Sequence, residues 1–274
     1  MVPDLDTYLF DLRGYVHLRG ALSADEVAAC NNSLDAIPRL EPGQWWGHVH
    51  GHTYGTVDGL NYQQIYEAGE PFEKLIDHPS WYEKVKHFVG GQNSFDSHHG
   101  PLFIDECFAN FRQPGEAIGI HSGGHHTVKR NQYRVRNGKF MCGQVNILIA
   151  LTDIGPGDGG TMLIPGSHKQ HFPHPHEGDH RMREDASVDG IVGAVEVHLK
   201  KGDAALFVDT LAHGSAKRAN EGTRRVVIYR YGPSWGNFRH GYEASPELLA
   251  RLTPERRRIV QPQRLLPREP QVSR

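Results

Sequence analysis

The sequence predicts a mainly β molecule with flanking helices, its strands folded into two facing sheets. Three observations lead there. Seven or eight short strand-like stretches, punctuated by glycine and proline turns, follow one another from Leu102 to Tyr231. The first 95 residues read mostly as helix. Two histidines of the strand-rich part, His121 and His213, stand 92 residues apart. That spacing is too long for a local metal clip, so only a rigid scaffold could bring them together.

The N-terminal part is read as helical support and lid, residues 1–95. Tyr8–Gly20 suggests a short helix and then a strand. Ser23 followed by Glu26 is a capping box, and Val27, Ala28, Leu34 and Ile37 recur at helical spacing up to Pro38. Residues 41–66 are dense in glycine and histidine, with Trp45-Trp46 ahead of His48, His50 and His52. They read as an irregular segment, either a surface loop anchored by tryptophan or a pocket wall in which Trp45, Trp46 and His48 meet a substrate. Three histidines at period two could also bind a metal, although Gly47, Gly51 and Gly55 weaken a regular strand. Residues 71–76 and 81–90 suggest two short helices, the second closed by Gly90.

From Leu102 the period changes to that of strands. Residues 103–112 form one, closed by Pro114-Gly115, and residues 143–151 another. The Gly-rich turn 155–160 leads to a strand at 161–165, and further strands follow at 195–199, 204–208 and 224–231. Between them lie two polar excursions. One, 124–139, carries five basic residues including Arg130 and Arg134; the other, 168–190, is rich in His and Pro. The core is thus residues 100–235, a jelly roll of the cupin kind. Residues 236–274 supply a helix at 246–252 and a loosely ordered Arg- and Pro-rich tail. The whole is expected to be one domain.

Composition narrows the classes of function. Thirty Lys+Arg against 32 Asp+Glu give no field that would recruit a nucleic-acid polymer. Three cysteines, an odd number without paired spacing, argue for a reducing compartment. No apolar run approaches the ~20 residues of a membrane span, and the first ten residues lack a secretory pattern. The expectation is a soluble cytoplasmic protein acting on a small molecule, with its oligomeric state open.

Four stretches carry a resemblance: Gly14–Gly20, the block from Leu151-Thr152-Asp153 to Pro165-Gly166-Ser167-His168-Lys169, His213-Gly214-Ser215, and Arg224. On these the chain resembles the phytanoyl-CoA dioxygenase-like family of iron(II)/2-oxoglutarate enzymes over roughly residues 8–235. The resemblance implies a double-stranded β-helix that holds Fe(II) on a His-X-Asp/Glu pair and a distal histidine. Open positions are left for 2-oxoglutarate and O2. It makes His121 and His213 the metal ligands. It makes Arg224 the partner of the far carboxylate of 2-oxoglutarate, helped by Ser215, with Asn146 or Gln144 at the other end.

One position departs from the family pattern. Where the carboxylate belongs the chain has Gly123. In this it resembles the halogenases of the superfamily, where a small residue leaves room for chloride on the iron. The resemblance then implies chlorination of an unactivated carbon through a ferryl species and a substrate radical, with Gly124 offering a backbone N–H to the halide. Two other readings stay open. Asp209, on the face of His213 if residues 209–213 are extended, or water could complete the iron site of a hydroxylase. Alternatively, the fold could be a non-catalytic binding module. Arg130 and Arg134 suit an anionic substrate such as a deoxynucleotide monophosphate, whose base would meet Trp45 or Trp46. His125 and His126 read as loop residues and His168 as structural.

Overall fold

Antiparallel pairing dominates the computed structural model, which describes residues 2–55, 58–90, 98–181, 186–239 and 241–266. The strands are β1 (Tyr15–Leu18), β2 (Trp45–Trp46), β3 (Val49–His52), β4 (Leu60–Gln63), β5 (Leu102–Arg112), β6 (Val135–Arg136), β7 (Lys139–Phe140), β8 (Val145–Ala150), β9 (Thr161–Leu163), β10 (Val195–Val197), β11 (Ala204–Val208), β12 (His213–Ser215) and β13 (Arg224–Pro233). The larger sheet runs β1-β11-β8-β13-β5-β4-β3-β2, and a smaller one runs β10-β9-β12. This is the expected jelly roll. β8 and β11 are buried at every position, and apart from Asn146 both are apolar throughout, as strands covered on both faces are.

The helices are α1 (Asp4–Arg13), α2 (Ala24–Ala36), α3 (Glu70–Glu73), α4 (Tyr82–Val89), α5 (Glu177–His180), α6 (Pro246–Arg251) and α7 (Pro254–Ile259). The capping box of α2 forms as the sequence indicates: Glu26 N–H donates to Ser23 Oγ, and Ser23 N–H to the Glu26 carboxylate. One hydrophobic cluster extends from Phe10 to Val260, so the N- and C-terminal elements share the core of the strands. Two buried tyrosines of β13 tie the sheet to the helical side. Tyr229 Oη donates to Phe72 O at 2.7 Å, and Tyr231 Oη accepts from Trp81 Nε1 at 3.2 Å.

The structure corrects three expectations. Residues 41–66 are not an irregular lid: β4 pairs with β5 and carries β3 and β2 outward, because Val49 and Tyr62 turn into the core. The excursion 124–139 ends in the small β6–β7 hairpin. The Arg-rich tail contains α7, whose Thr253 side chain accepts from Arg256 N–H and whose Ile259 is buried. Residues 267–274 of that tail lie outside the described residues. All three cysteines are free and buried. Among the described residues no helix is long and apolar enough to cross a membrane.

Candidate metal centre

His121 and His213 meet as the sequence spacing requires. Each donates its backbone N–H to the other's carbonyl, at 2.9 and 3.0 Å. Such an antiparallel pair projects both side chains to one side, and the ring centroids are 4.1 Å apart. Gly214 makes this approach possible. A Cβ there would lie 2.6 Å from Ile118 O and 2.8 Å from Gly119 O. Each ring is oriented by the carbonyl two residues before it: His121 Nδ1 to Gly119 O at 3.0 Å, His213 Nδ1 to Leu211 O at 2.5 Å. With Nδ1–H donating, Nε2 is left as the lone-pair nitrogen of each ring. Burial lowers His213 to about 4 and His121 well below its ordinary value, the latter helped by the neighbouring His213. Both rings are therefore neutral near pH 7, the form that ligates a metal.

Both histidines line a cavity of about 240 Å³, together with Arg112, Arg224, Ser215 and Asn110. Arg224 on β13 stands opposite Arg112 on β5 in the sheet register. The two guanidiniums are 3 % and 4 % exposed. Every hydrogen bond they make goes to a neutral acceptor. Arg224 donates to Gly159 O and to Asn110 Oδ1; Arg112 donates to Ser215 Oγ and Asp58 O. Among the described residues neither forms an ion pair, and both Nε atoms are buried without a partner. Burial lowers Arg112 to about 10 and Arg224 well below the usual range, with Arg112's charge adding to the second. Two buried cations without a counter-anion cost free energy unless an anion joins them. A carboxylate held by paired guanidinium N–H groups would do so. The residues therefore fit both groups: neutral imidazole nitrogens for the iron, and a cationic end for 2-oxoglutarate.

The geometry does not support Asp209 as a third ligand. One of its oxygens takes Arg130 Nε at 2.8 Å, and the other takes Asn146 Nδ2 at 3.0 Å and faces Arg239 Nη2 at 3.5 Å. It makes no hydrogen bond to His213, whose Nδ1 is taken by Leu211 O. Burial works against its ionisation, but the charges of Arg239, Arg230 and Arg130 outweigh that and hold the carboxyl well below its usual range. Among the described residues no His, Cys, Asp or Glu joins His121 and His213 with ligand atoms all within 4.8 Å of one another.

The amide of Gly124, expected to face a halide, is engaged within the protein, as is that of Gly123. Gly123 N–H donates to Thr210 O, and Gly124 N–H to Ser167 O, both at 2.9 Å, so neither amide is free for chloride. A side chain at Gly123 would point at His125 and Gln170, 2.8 and 2.9 Å away.

Of the other residues read from the sequence, Ser215 lies in the cavity, where its Oγ accepts from Arg112 and from Ile118 N–H. Arg130 also lines it. Asn146 and Gln144 do not. Asn146 serves Asp209, and Gln144 is fully buried between Asp105 and Arg239. Trp45 and Trp46 are exposed on the outermost strand, Trp45 stacked on His50. His48 faces Glu247, and Arg134 lines a separate cavity with Trp235. A nucleotide base and phosphate therefore find none of these four residues at the metal centre. His168 is structural, its Nε2 on Asp11 O at 3.1 Å. Sequence reasoning missed Arg112. Its signal was an arginine at the end of a long strand, next to the Pro114-Gly115 turn.

The family model described as phytanoyl-CoA dioxygenase matches residues 10–226. A fungal relative, the dioxygenase cdmD of Talaromyces verruculosus, is 27 % identical over 196 residues, covering 70 % of this chain and 58 % of its own length. The chain thus spans less than two thirds of that curated relative. Among solved structures, HygX from Streptomyces hygroscopicus with nickel, 2-oxoglutarate and hygromycin B bound superposes with a TM-score of 0.70, at 22 % identity over 90 % of this chain and 94 % of its own. The epimerase SnoN in complex with Fe3+, alpha ketoglutarate and nogalamycin RO does so with 0.57, at 18 % identity over 89 % and 90 %. These likenesses establish the fold.

Proposed function

The chain belongs to the phytanoyl-CoA dioxygenase family, and on that premise we propose that it oxidises a C–H bond of a small polar molecule with iron(II), 2-oxoglutarate and O2. One observation carries the reading: two neutral histidines share a cavity with two buried guanidiniums that lack a counter-anion among the described residues. His121 and His213 would hold the iron. Arg224 and Arg112 would hold the far carboxylate of 2-oxoglutarate, with Ser215 kept in place by its bond from Arg112. When bound, iron and 2-oxoglutarate supply the oxidant that removes a hydrogen from carbon.

The protein's part is to bind, orient and exclude water. Gly119 O and Leu211 O fix the two rings. Phe207, Leu148, Ile118 and Ile228 make the cavity wall apolar. Tyr54, Arg130 and Arg239 line both this cavity and a more polar neighbour of about 370 Å³ that includes Gln63 and Gln64. The substrate's polar groups belong there, with its reacting carbon toward the histidines.

Halogen transfer is the second reading. Its support is Gly123 in place of a carboxylate, together with the lack of a third ligand among the described residues.

The test begins anaerobically. Iron(II) and 2-oxoglutarate are added, the visible charge-transfer band is recorded, and chloride is titrated. A band that ignores chloride, and products that take oxygen from O2, support the oxygenase. A saturable chloride response with chlorinated product moves the assignment to the second reading. No band, with wild type and His213→Ala alike, sinks both.

A further inference from the structure

Beside the metal centre lies a group of residues that the oxygenase chemistry does not use. His125, His126 and Glu177 place their ligand atoms all within 4.8 Å of one another. We propose that these three side chains form a second divalent-cation site, of the zinc class, distinct from the His121–His213 pair.

Geometry carries the proposal. His125 Nε2 lies 3.3 Å from Glu177 Oε2, and His126 Nε2 lies 3.3 Å from Glu177 Oε1. Ligands about 2.0–2.1 Å from a tetrahedral zinc stand roughly 3.3–3.4 Å from each other, so these separations are those of ligands around one ion. Glu177 is 3 % exposed, and its Oε2 and the Nε2 of His125 are buried without a hydrogen-bond partner. These two atoms face each other as an ion-pair contact without a hydrogen bond, a gap that a bridging cation would close. A cation at the centre would serve both histidines and the carboxylate at once.

The supports of the three ligands are also present. Gln170 reaches His125 Nδ1 at 2.8 Å, and Arg181 donates to Glu177 Oε1 at 2.8 and 3.1 Å. As placed, Gln170 Nε2–H donates to His125 Nδ1, so the neutral ring carries its proton on Nε2; binding of a cation at Nε2 would move that proton to Nδ1 and turn the Gln170 amide oxygen toward it. Three protein ligands, two from the segment after His121 and one from α5, would clasp that segment to the helix.

The site also offers a role for Gly123. Any side chain there would press on the His125 ring at 2.8 Å and on Gln170 at 2.9 Å. On this reading the glycine is needed to seat His125.

The test is a metal count that does not depend on turnover. Full-length protein is stripped with chelator, titrated with Zn(II) against a chromophoric competitor, and analysed for bound metal after gel filtration. Wild type should hold two equivalents, and Glu177→Gln one, with at least a 100-fold loss of affinity for the other. The double variant His121→Ala/His213→Ala should keep one equivalent that Glu177→Gln then removes. Should Glu177→Gln misfold, His126→Gln, at a partly exposed position, gives the same reading, with circular dichroism as control. A single wild-type equivalent lost in the double variant and untouched by Glu177→Gln or His126→Gln overturns the proposal. A single equivalent with the opposite sensitivity upholds it, and counts instead against His121 and His213 as a metal pair.

Discussion

Arg224 and Arg112 face one cavity from neighbouring strands, and neither has a carboxylate partner among the described residues. Truncating one side of a buried, hydrogen-bonded charge pair costs about 2–5 kcal/mol. If 2-oxoglutarate supplies the missing anion, Arg224→Ala should raise its dissociation constant by about 30-fold or more. Arg224→Lys should recover only part, because an ammonium cannot make two parallel bonds to a carboxylate. Titration of 2-oxoglutarate by thermal shift in the presence of a redox-inert divalent metal measures both. An unchanged constant in Arg224→Ala would place the co-substrate elsewhere. Arg224 was singled out in the sequence by the family resemblance alone. Arg112 was not, because its meaning depends on strand register: an arginine closing a strand is ordinarily a solvated end, and only the pairing of β5 with β13 sets it beside Arg224.

Elements decide the acid stability. The short turn around His168 links β9 to the loop after it, and its ring packs against Tyr133 with Nε2 on Asp11 O. Burial lowers this imidazole from its ordinary 6.5 to about 4. Between those values the unfolded chain holds a proton that the folded chain lacks. Stability therefore falls as the pH drops below about 6.5, and the loss is complete near 4. The slope from one such group is at most about 1.4 kcal/mol per pH unit. His168→Gln should flatten the fall by roughly that amount between pH 6.5 and 5, read from urea midpoints of the two proteins side by side. Equal slopes would mean that His168 already takes up its proton in the folded state. At this scale much was legible. The strands of the core, the capping box at Ser23 and the α6 helix all follow from local pattern, which is what short-range propensity and turns determine. The strands at 45–63 were hidden. Their glycines and histidines spoil the alternation, and they are held by β5, far along the chain. The grouping of Glu177 with His125 and His126 was hidden for the same reason.

In the whole molecule the chemistry and the stability reside in different parts. The candidate centre draws mainly on β5, β12, β13 and residues 118–121, with single residues from β4, β8, β9 and β11. The terminal helices fasten the other elements together. Arg251 pairs with Glu73 at 2.8 Å, Arg256 with Asp77 at 2.6 Å, and Tyr82 Oη donates to Glu255 at 2.6 Å. Partly exposed pairs of this kind contribute little each, so the apolar contacts beneath them must hold α6 and α7 in place. Leu248 is fully buried in α6 and belongs to the common core. Leu248→Ala should cost about 2–5 kcal/mol, a drop in melting temperature on the order of 5–15 °C for a chain of this size. No residue of α6 lines the cavity, so the dissociation constant for 2-oxoglutarate should stay within about twofold of wild type. Saturating co-substrate should then raise both melting curves by the same linkage, about 2.7 kcal/mol at a hundred times the dissociation constant. Calorimetry of the two proteins, with and without 2-oxoglutarate, measures all of this at once. A constant raised tenfold by Leu248→Ala would show that the terminal helices set the geometry of the centre, and that stability and chemistry are not separable here.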